Sequence, residues 1–303
     1  MSETLINGIV LNREGRRATI VRKAFYELAG SVTPSVAVQY DGRWYYVHTR
    51  DRPVGRATFA TGPYESNVMA DALRILQQHG RTLRGRTFVD VGANIGTSTI
   101  EALSVFGARD GLAVEPEPKN FRLLRCNLVA NDLDDRVRTV CAAASASSGT
   151  GRLTVSDWNS GDHRLGQDTL RAGQANRGEH SIEVPLRRLD DLIVEAGIDL
   201  DDIGVVWIDA QGHEGHILKG APALLRSGVP VIAEYWPYQL RRTGGLQLLH
   251  SLIAEHYDLV IDVRDQSGGK ANVLAAIDVH ELEARYPAPK ATATDIILLK
   301  KAP

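Results

Sequence analysis

The chain has 303 residues, 43% of them hydrophobic and 24% charged. At roughly 100–200 residues per domain this allows one large domain or two small ones, and the balance excludes whole-chain disorder and fibrous repeats. Lys plus Arg number 35 against 37 Asp plus Glu, a net charge of −2, which argues against a dedicated nucleic-acid binder.

Residues 1–35 carry a weak structural signal and a basic cluster of Arg13, Arg16, Arg17, Arg22 and Lys23, read as a solvated face. From Ser35 to Arg50 the chain alternates and is rich in Val, Tyr and Trp, with Asp41-Gly42 between two runs; this predicts a β-hairpin. In TGPYESNVMADALRILQQHG, Val68, Ala72, Leu73 and Leu76 fall at helical spacing, and Gly80 is a natural stop. Residues 1–80 therefore read as a small N-terminal β/α extension, and 81–303 as the main domain.

From Arg86 the pattern changes to alternating strands and helices. RTFVDVGANIG is a strand entering a Gly-containing loop, and TSTIEALSVFG is the helix after it. GLAVEPEP and KNFRLLRCNLVAND repeat the pair, and RVRTVCAAA is a third strand. DDIGVVWIDAQG, the helix GHEGHILKGAPALLRSG and the strand VPVIAEYWP follow. Such alternation predicts βαβ units and a mostly parallel sheet with helices on both faces. YDLVIDVRDQSGG and TATDIILLKK then read as two strands without a clear helix between them, a hairpin-like pair closing the sheet. The polar stretch 156–181, flanked by strand-like GRLTVS and HSIEVPLRRL, is longer than an ordinary connection and reads as a lid over a site.

Two cysteines, Cys126 and Cys141, cannot build a disulfide framework or a zinc site alone, which points to a reducing cytoplasm. No apolar run approaches ~18 residues, so no membrane-spanning helix is predicted. Met1 to Arg17 lacks the ~7–15-residue apolar stretch of a signal peptide.

The residues that carry chemistry begin at Asp90-Val91-Gly92-Ala93-Asn94-Ile95-Gly96. A strand ends at Asp90, and the glycines let backbone approach a ligand before the next helix. The spacing Gly92-x-x-x-Gly96 is not the GxGxxG of a pyrophosphate site. An acidic residue opening the loop suits a positively charged amino-acid group better than a phosphate. The second strand ends in Glu115, where a carboxylate accepts hydrogen bonds from ribose hydroxyls. The two motifs together point to an adenosine ligand without a pyrophosphate, and S-adenosylmethionine fits.

FVDVGANIG, EPEPKNFRLLRCNLVAND, LRRLDDL, IDAQGHEGHILKGA and VIAEYWP, in this order, resemble the FkbM family of S-adenosylmethionine-dependent methyltransferases. The resemblance covers about residues 60–300, including TGPYES. It implies a class I methyltransferase, Rossmann-like fold with a seven-stranded sheet, and O-methylation of a hydroxyl on a sugar or other natural product. It also implies that Asp90, Gly92, Asn94 and Gly96 line the methionine end, that Glu115 holds the ribose, and that Ala142-Ala143 sit beside the adenine. One departure stands out. The family commonly has Lys-Ile-Asp-Val-Glu-Gly after the fourth strand, whereas this chain has Trp207-Ile208-Asp209-Ala210-Gln211-Gly212.

Ligands of parallel α/β sheets bind beyond the carboxyl ends of the strands, which places Asp209, His213, Glu214 and Glu234 near the sulfonium. His213 is the first candidate for the general base, because a histidine titrating near neutrality suits removal of a hydroxyl proton. His163 is the second, His216 reads as helix surface, and Asp209 as a residue that orients the base or the hydroxyl. Asp209 and Glu234 end neighbouring strands, so a Mg²⁺ ion between them is the competing way to activate the hydroxyl. Trp207 reads as core; Trp44 and Tyr64 are further aromatics, and Trp158 and Trp236 flank the expected mouth, where they would stack on a ring substrate. Two other functions remain open at this point: a non-catalytic binding subunit on the same fold, and a nicotinamide-dependent oxidoreductase. The expected partner is a small-molecule acceptor, with no nucleic acid and no membrane; whether the chain forms a homo-oligomer is not legible.

Overall fold

The computed structural model describes residues 16–156, 159–161, 163–165, 179–265, 271–287 and 292–300. The first element is a helix, α1 (Arg16–Ala29), ahead of the expected hairpin of β1 (Ser35–Tyr40) and β2 (Arg43–His48). Asp41 and Gly42 take φ of 47° and 81°, the two-residue turn that Asp-Gly favours. Helix α1 gave little sequence signal because Tyr26 and Ala29 are buried while Ile20, Val21 and Leu28 face outward. Helix α2 (Val54–Thr61) was not expected; α3 (Ser66–Gln78) is the predicted helix.

The chain continues with β3 (Thr87–Val91), α4 (Thr97–Ser104), β4 (Asp110–Val114), α5 (Pro118–Ala130) and β5 (Val137–Val140). Next come β6 (Ala143–Ala144), β7 (Gly149–Ser156), β8 (Arg164–Leu165), β9 (Glu179–Arg187) and α6 (Leu189–Glu195). They lead to β10 (Ile203–Ile208), α7 (Glu214–Lys219), α8 (Pro222–Ser227) and β11 (Val231–Tyr235). The chain closes with α9 (Pro237–Arg242), α10 (Leu246–His256), β12 (Leu259–Asp262), β13 (Asn272–Ala275), α11 (Glu281–Arg285) and β14 (Thr294–Leu299). The single helix expected over GHEGHILKGAPALLRSG is two, because Pro222 has no N–H to continue the ladder and starts α8 as its first residue.

Eight strands, one more than expected, form the main sheet in the order β13-β12-β14-β11-β10-β3-β4-β5. From β5 to β11 the pairing is parallel, and β14 inserts antiparallel between β11 and β12. This is the reversed closing pair of a class I methyltransferase sheet. The extra strand is β13, antiparallel on β12, and it stands with α11 where no intervening element was expected. A second sheet, β6-β9-β7-β8, packs its own small cluster around Leu153, Val155 and Val184.

Every residue of β3 and β10 is buried, as in strands covered on both faces. Successive residues feed opposite cores: Val206 and Ile208 pack with Leu224 and Leu249 on one side, Val205 and Trp207 with Ile100 and Leu124 on the other. Tyr26, Tyr45 and Phe59 from the N-terminal elements belong to that second core. Asn127 on α5 and Asn131 capping its C-terminus bind the backbone of Tyr46 and Trp44, so α5 holds the hairpin. No helix among the described residues is long and apolar enough to cross a membrane.

Candidate cofactor and acceptor site

The parallel strands end on one edge, and the loops beyond β3, β4, β5 and β10 meet there. Gly92 has φ 87°, and a Cβ at that position would lie 1.8 Å from the carbonyl oxygen of Asp209. The first loop and the tip of β10 are therefore in backbone contact, a separation that a side chain would prevent. Asn94 is also left-handed, with φ 51°. Its N–H donates to Glu115 Oε2 at 2.9 Å, and the Glu117 N–H donates to Glu115 Oε1 at 2.8 Å. Burial pushes the Glu115 carboxyl up to about 8, against these two donors. The Asn94 amide donates to the carbonyl and hydroxyl oxygens of Ser160 at 3.2 and 3.3 Å. Its Oδ1 is buried and lacks a partner among the described residues.

Gly92, Asn94, Glu115, Ala142, Ala143, Asp209 and His213 line one cleft of about 70 Å³. Asp90 and Gly96, expected in its wall, stand behind it. Asp90 is buried and accepts a hydrogen bond from Thr99 Oγ1 at 2.5 Å; burial raises its carboxyl to about 7. Gly96 lets α4 start against α5, since a Cβ there would meet Leu124 Cδ1 at 2.6 Å. Both shape the loop without facing the cleft.

Asp209 and Glu234 do end adjacent strands, as read from the sequence, and the side chain between them is Gln211. Its amide donates to Asp209 Oδ1 at 2.8 Å and to Glu234 Oε2 at 3.1 Å. Burial pushes Asp209 up to about 7, with the charges of Glu214, Asp295 and Asp90 adding to it; Glu234 is driven well above the usual carboxylate range by burial and then by Asp209. Arg264 pairs with Asp295 at 2.8 Å and with Glu65 at 2.9 Å on the far side of this group. Tyr64 is nearby, its phenol raised by burial and by Glu65, Asp209 and Glu234. Among the described residues, no group of three or more His, Cys, Asp or Glu is arranged to hold a metal ion.

His213 lines the cleft, with Nε2 3.0 Å from Ser145 Oγ and a buried Nδ1 without a partner among the described residues. Burial, and then His216 stacked on it at 4.6 Å, pull His213 down to about 3, far from the neutral value expected of a base. His216 is not free surface: its Nε2 lies 3.1 Å from the Thr243 carbonyl oxygen. His163 accepts a hydrogen bond from the Ser156 N–H at 3.2 Å, and burial lowers it to about 4. Glu214 folds back to accept from the N–H groups of Ala210 and Gly212 at 3.0 and 3.1 Å. Trp207 is core, Trp44 sits on the hairpin against Asn131, and Trp236 precedes α9 with its ring 6.1 Å from Tyr238. Trp158 and most of the expected lid lie outside the described residues. The described part of that segment crosses the cleft: Ser160, Gly161, His163 and Leu165 line it.

Sequence reading missed Asp51, Asn120 and Ser160. Ser160 Oγ donates to Asp51, and Asn120 donates to the Ser160 carbonyl oxygen at 3.3 Å. A lone Asp and Ser 109 positions apart leave no spacing signal.

A profile described as the methyltransferase FkbM domain matches residues 90–261, more than half of the chain. The chain belongs to the FkbM methyltransferase family. The matched FkbM segment contains the first loop, Glu115, Ala143, Asp209, His213 and Glu234. The chain is 29% identical over 160 residues to the 2-O-methyltransferase NoeI of Sinorhizobium fredii (strain NBRC 101917 / NGR234), covering 50% of this chain and 64% of that protein. It is 28% identical over 172 residues to the methyltransferase sdnD of Sordaria araneosa, covering 49% and 65%. It thus spans just under two thirds of the length of these two relatives. A further match, 29% over 244 residues, covers 71% of this chain and 86% of the 31-O-demethyl-FK506 methyltransferase FkbM of Streptomyces tacrolimicus. Among solved structures, the methyltransferase FkbM of Methylobacillus flagellatus KT is 16% identical, covers 71% of this chain and 43% of that one, and superposes with a TM-score of 0.42.

Proposed function

We propose that this FkbM-family chain is an S-adenosylmethionine-dependent O-methyltransferase acting on a hydroxyl of a sugar or other natural-product small molecule. The observation that carries the reading is the cleft itself, in which Glu115, the Asn94 loop and Asp209 converge from the ends of three adjacent strands. Its donor set fits the cofactor: a carboxylate for ribose hydroxyls, the orphaned Asn94 Oδ1 for an ammonium group, and the Ala142-Ala143 wall for an apolar ring. When bound, the cofactor supplies an electrophilic methyl group on a sulfonium. Ligand pockets usually enclose ~300–1,000 Å³, so in this reading Ser160, Gly161, His163 and Leu165 withdraw for a nucleoside to enter.

Asp209 is the group we assign to the acceptor proton. A base is most useful when its pKa lies near the operating pH; Asp209 stands at about 7, whereas His213 at about 3 is too weak. Gln211 orients Asp209 through its amide and replaces a cation as the link to Glu234. His213, held against Ser145, positions the cleft wall. We read Asp90 and Gly96 as supports of the loop, residues 1–80 as an extension, and 81–303 as the methyltransferase domain.

The test follows transfer of a labelled methyl group from S-adenosylmethionine into a panel of hydroxylated sugars and polyketides. An accepted substrate should be methylated at oxygen. Asp209→Asn should cut turnover ~10²–10⁴-fold at unchanged cofactor affinity. Cofactor binding without transfer to any acceptor would favour a non-catalytic subunit.

A further inference from the structure

Across Ser160 and His163 from the cofactor cleft lies a second, much larger space, an open groove of about 760 Å³. It runs between the turn after α1, the end of β2 and the start of α5. Three exposed cations line it: Arg50 beyond β2, and Lys119 and Arg122 on α5. None of their side chains forms a hydrogen bond or ion pair with a described residue. His48 also lines the groove, with a buried Nε2 that has no partner among the described residues. Burial lowers His48, so the ring is neutral and contributes a polar atom rather than a charge.

Two carboxylates border the same space, and both are committed elsewhere. Asp51 accepts from the Gly55 N–H at 2.8 Å and from Ser160; Glu117 caps α5 by accepting from the Asn120 N–H at 2.7 Å. Among the described residues the groove's three cations therefore outnumber its two carboxylates, and neither carboxylate is paired with one of them. Surface cations normally find a carboxylate or lie in open water. Here three line a concavity large enough for a drug-sized ligand. A carboxylate ligand offers two oxygens to these three cations, whereas a phosphate group carries about −1.5 to −2 and three strong acceptor oxygens.

We propose that this groove is a phosphate-binding site in which Arg50, Lys119, Arg122 and His48 hold a phosphate or diphosphate group of the acceptor substrate. The assignment to the acceptor rests on the transferase reading above; the site itself does not. Ser160 and His163 belong to both walls, so a molecule anchored in the groove lies next to the segment that covers the cofactor cleft.

The test is calorimetry of the full chain with inorganic pyrophosphate at constant low ionic strength. The wild type should bind saturably, and Lys119→Ala/Arg122→Ala should weaken binding at least about tenfold, since charge-assisted contacts are lost. Arg125→Ala, an exposed cation on the same helix outside the groove, should bind like the wild type. No binding to the wild type, or equal weakening by Arg125→Ala, would overturn the site. Capture by phosphatidylglycerol vesicles without pyrophosphate binding would overturn it in favour of a lipid-headgroup surface. S-adenosylhomocysteine is titrated in parallel: its affinity should not change in the double variant, and failure of the wild type to bind it would overturn the transferase reading while leaving the phosphate result standing.

Discussion

Gln211 is one of the residues at which this chain departs from the family pattern, beside Trp207 and Ala210, and its geometry explains how the change is tolerated. A glutamate there would place a third acidic group between Asp209 and Glu234, two carboxyls already resisting ionisation in a buried setting. The amide supplies a donor to both instead. From sequence alone the substitution reads only as a lost charge; its meaning depends on the pairing of β10 with β11, which brings the two carboxylates together. Gly92 was legible as a loop glycine, but its role toward Asp209 was not. Gly92→Ala combines a left-handed φ with a Cβ 1.8 Å from a backbone oxygen. We expect destabilisation of roughly 3 kcal/mol or more by denaturant unfolding; a loss well below 1 kcal/mol would mean that the loop relaxes freely away from β10.

At the scale of elements, the strands of the parallel half were legible because their apolar runs are continuous, as burial on both faces requires. Helix α1 and strand β13 were not, since each leaves apolar residues exposed: Ile20 and Leu28 in one, Val273 in the other. Ser160 gains its position from contacts distant in sequence, being tied to Asp51, Asn94 and Asn120. Because Ser160 lines the cleft, its release should control cofactor entry. Ser160→Ala removes the hydroxyl that bonds Asp51 and is expected to speed S-adenosylhomocysteine association in stopped-flow mixing. Unchanged association kinetics would show that the cleft opens without breaking this contact.

At the scale of the whole molecule, buried titratable groups at the strand ends predict a pH dependence of stability. Asp90, Asp209 and Glu214 are each raised to about 7, and Glu115 to about 8, chiefly by burial. A carboxyl raised on folding keeps its proton where the unfolded chain has lost it, so its stabilising effect is lost as pH rises through the folded value. His163 and His213 are lowered to about 4 and 3 and act in the opposite sense, costing stability as pH falls below 6.5. The two sets oppose each other in mildly acidic solution, and above pH 6.5 only the carboxyls act. Tm of the ligand-free protein should therefore fall from about pH 6.5 to roughly pH 8.5, and Glu214→Gln should reduce the slope. A flat or rising Tm over that range would contradict the assignment. The same burial lowers His213 below the near-neutral value read from the sequence: a histidine after a strand is visible in sequence, but its desolvation is not. Calorimetry with S-adenosylhomocysteine tests the central claim most directly. The wild type should bind it and not NAD, and a folded Glu115→Ala variant should bind about tenfold or more weakly, having lost the hydrogen-bonding partner of the ribose hydroxyls. No binding to the wild type, or unchanged affinity in the variant, would contradict the account.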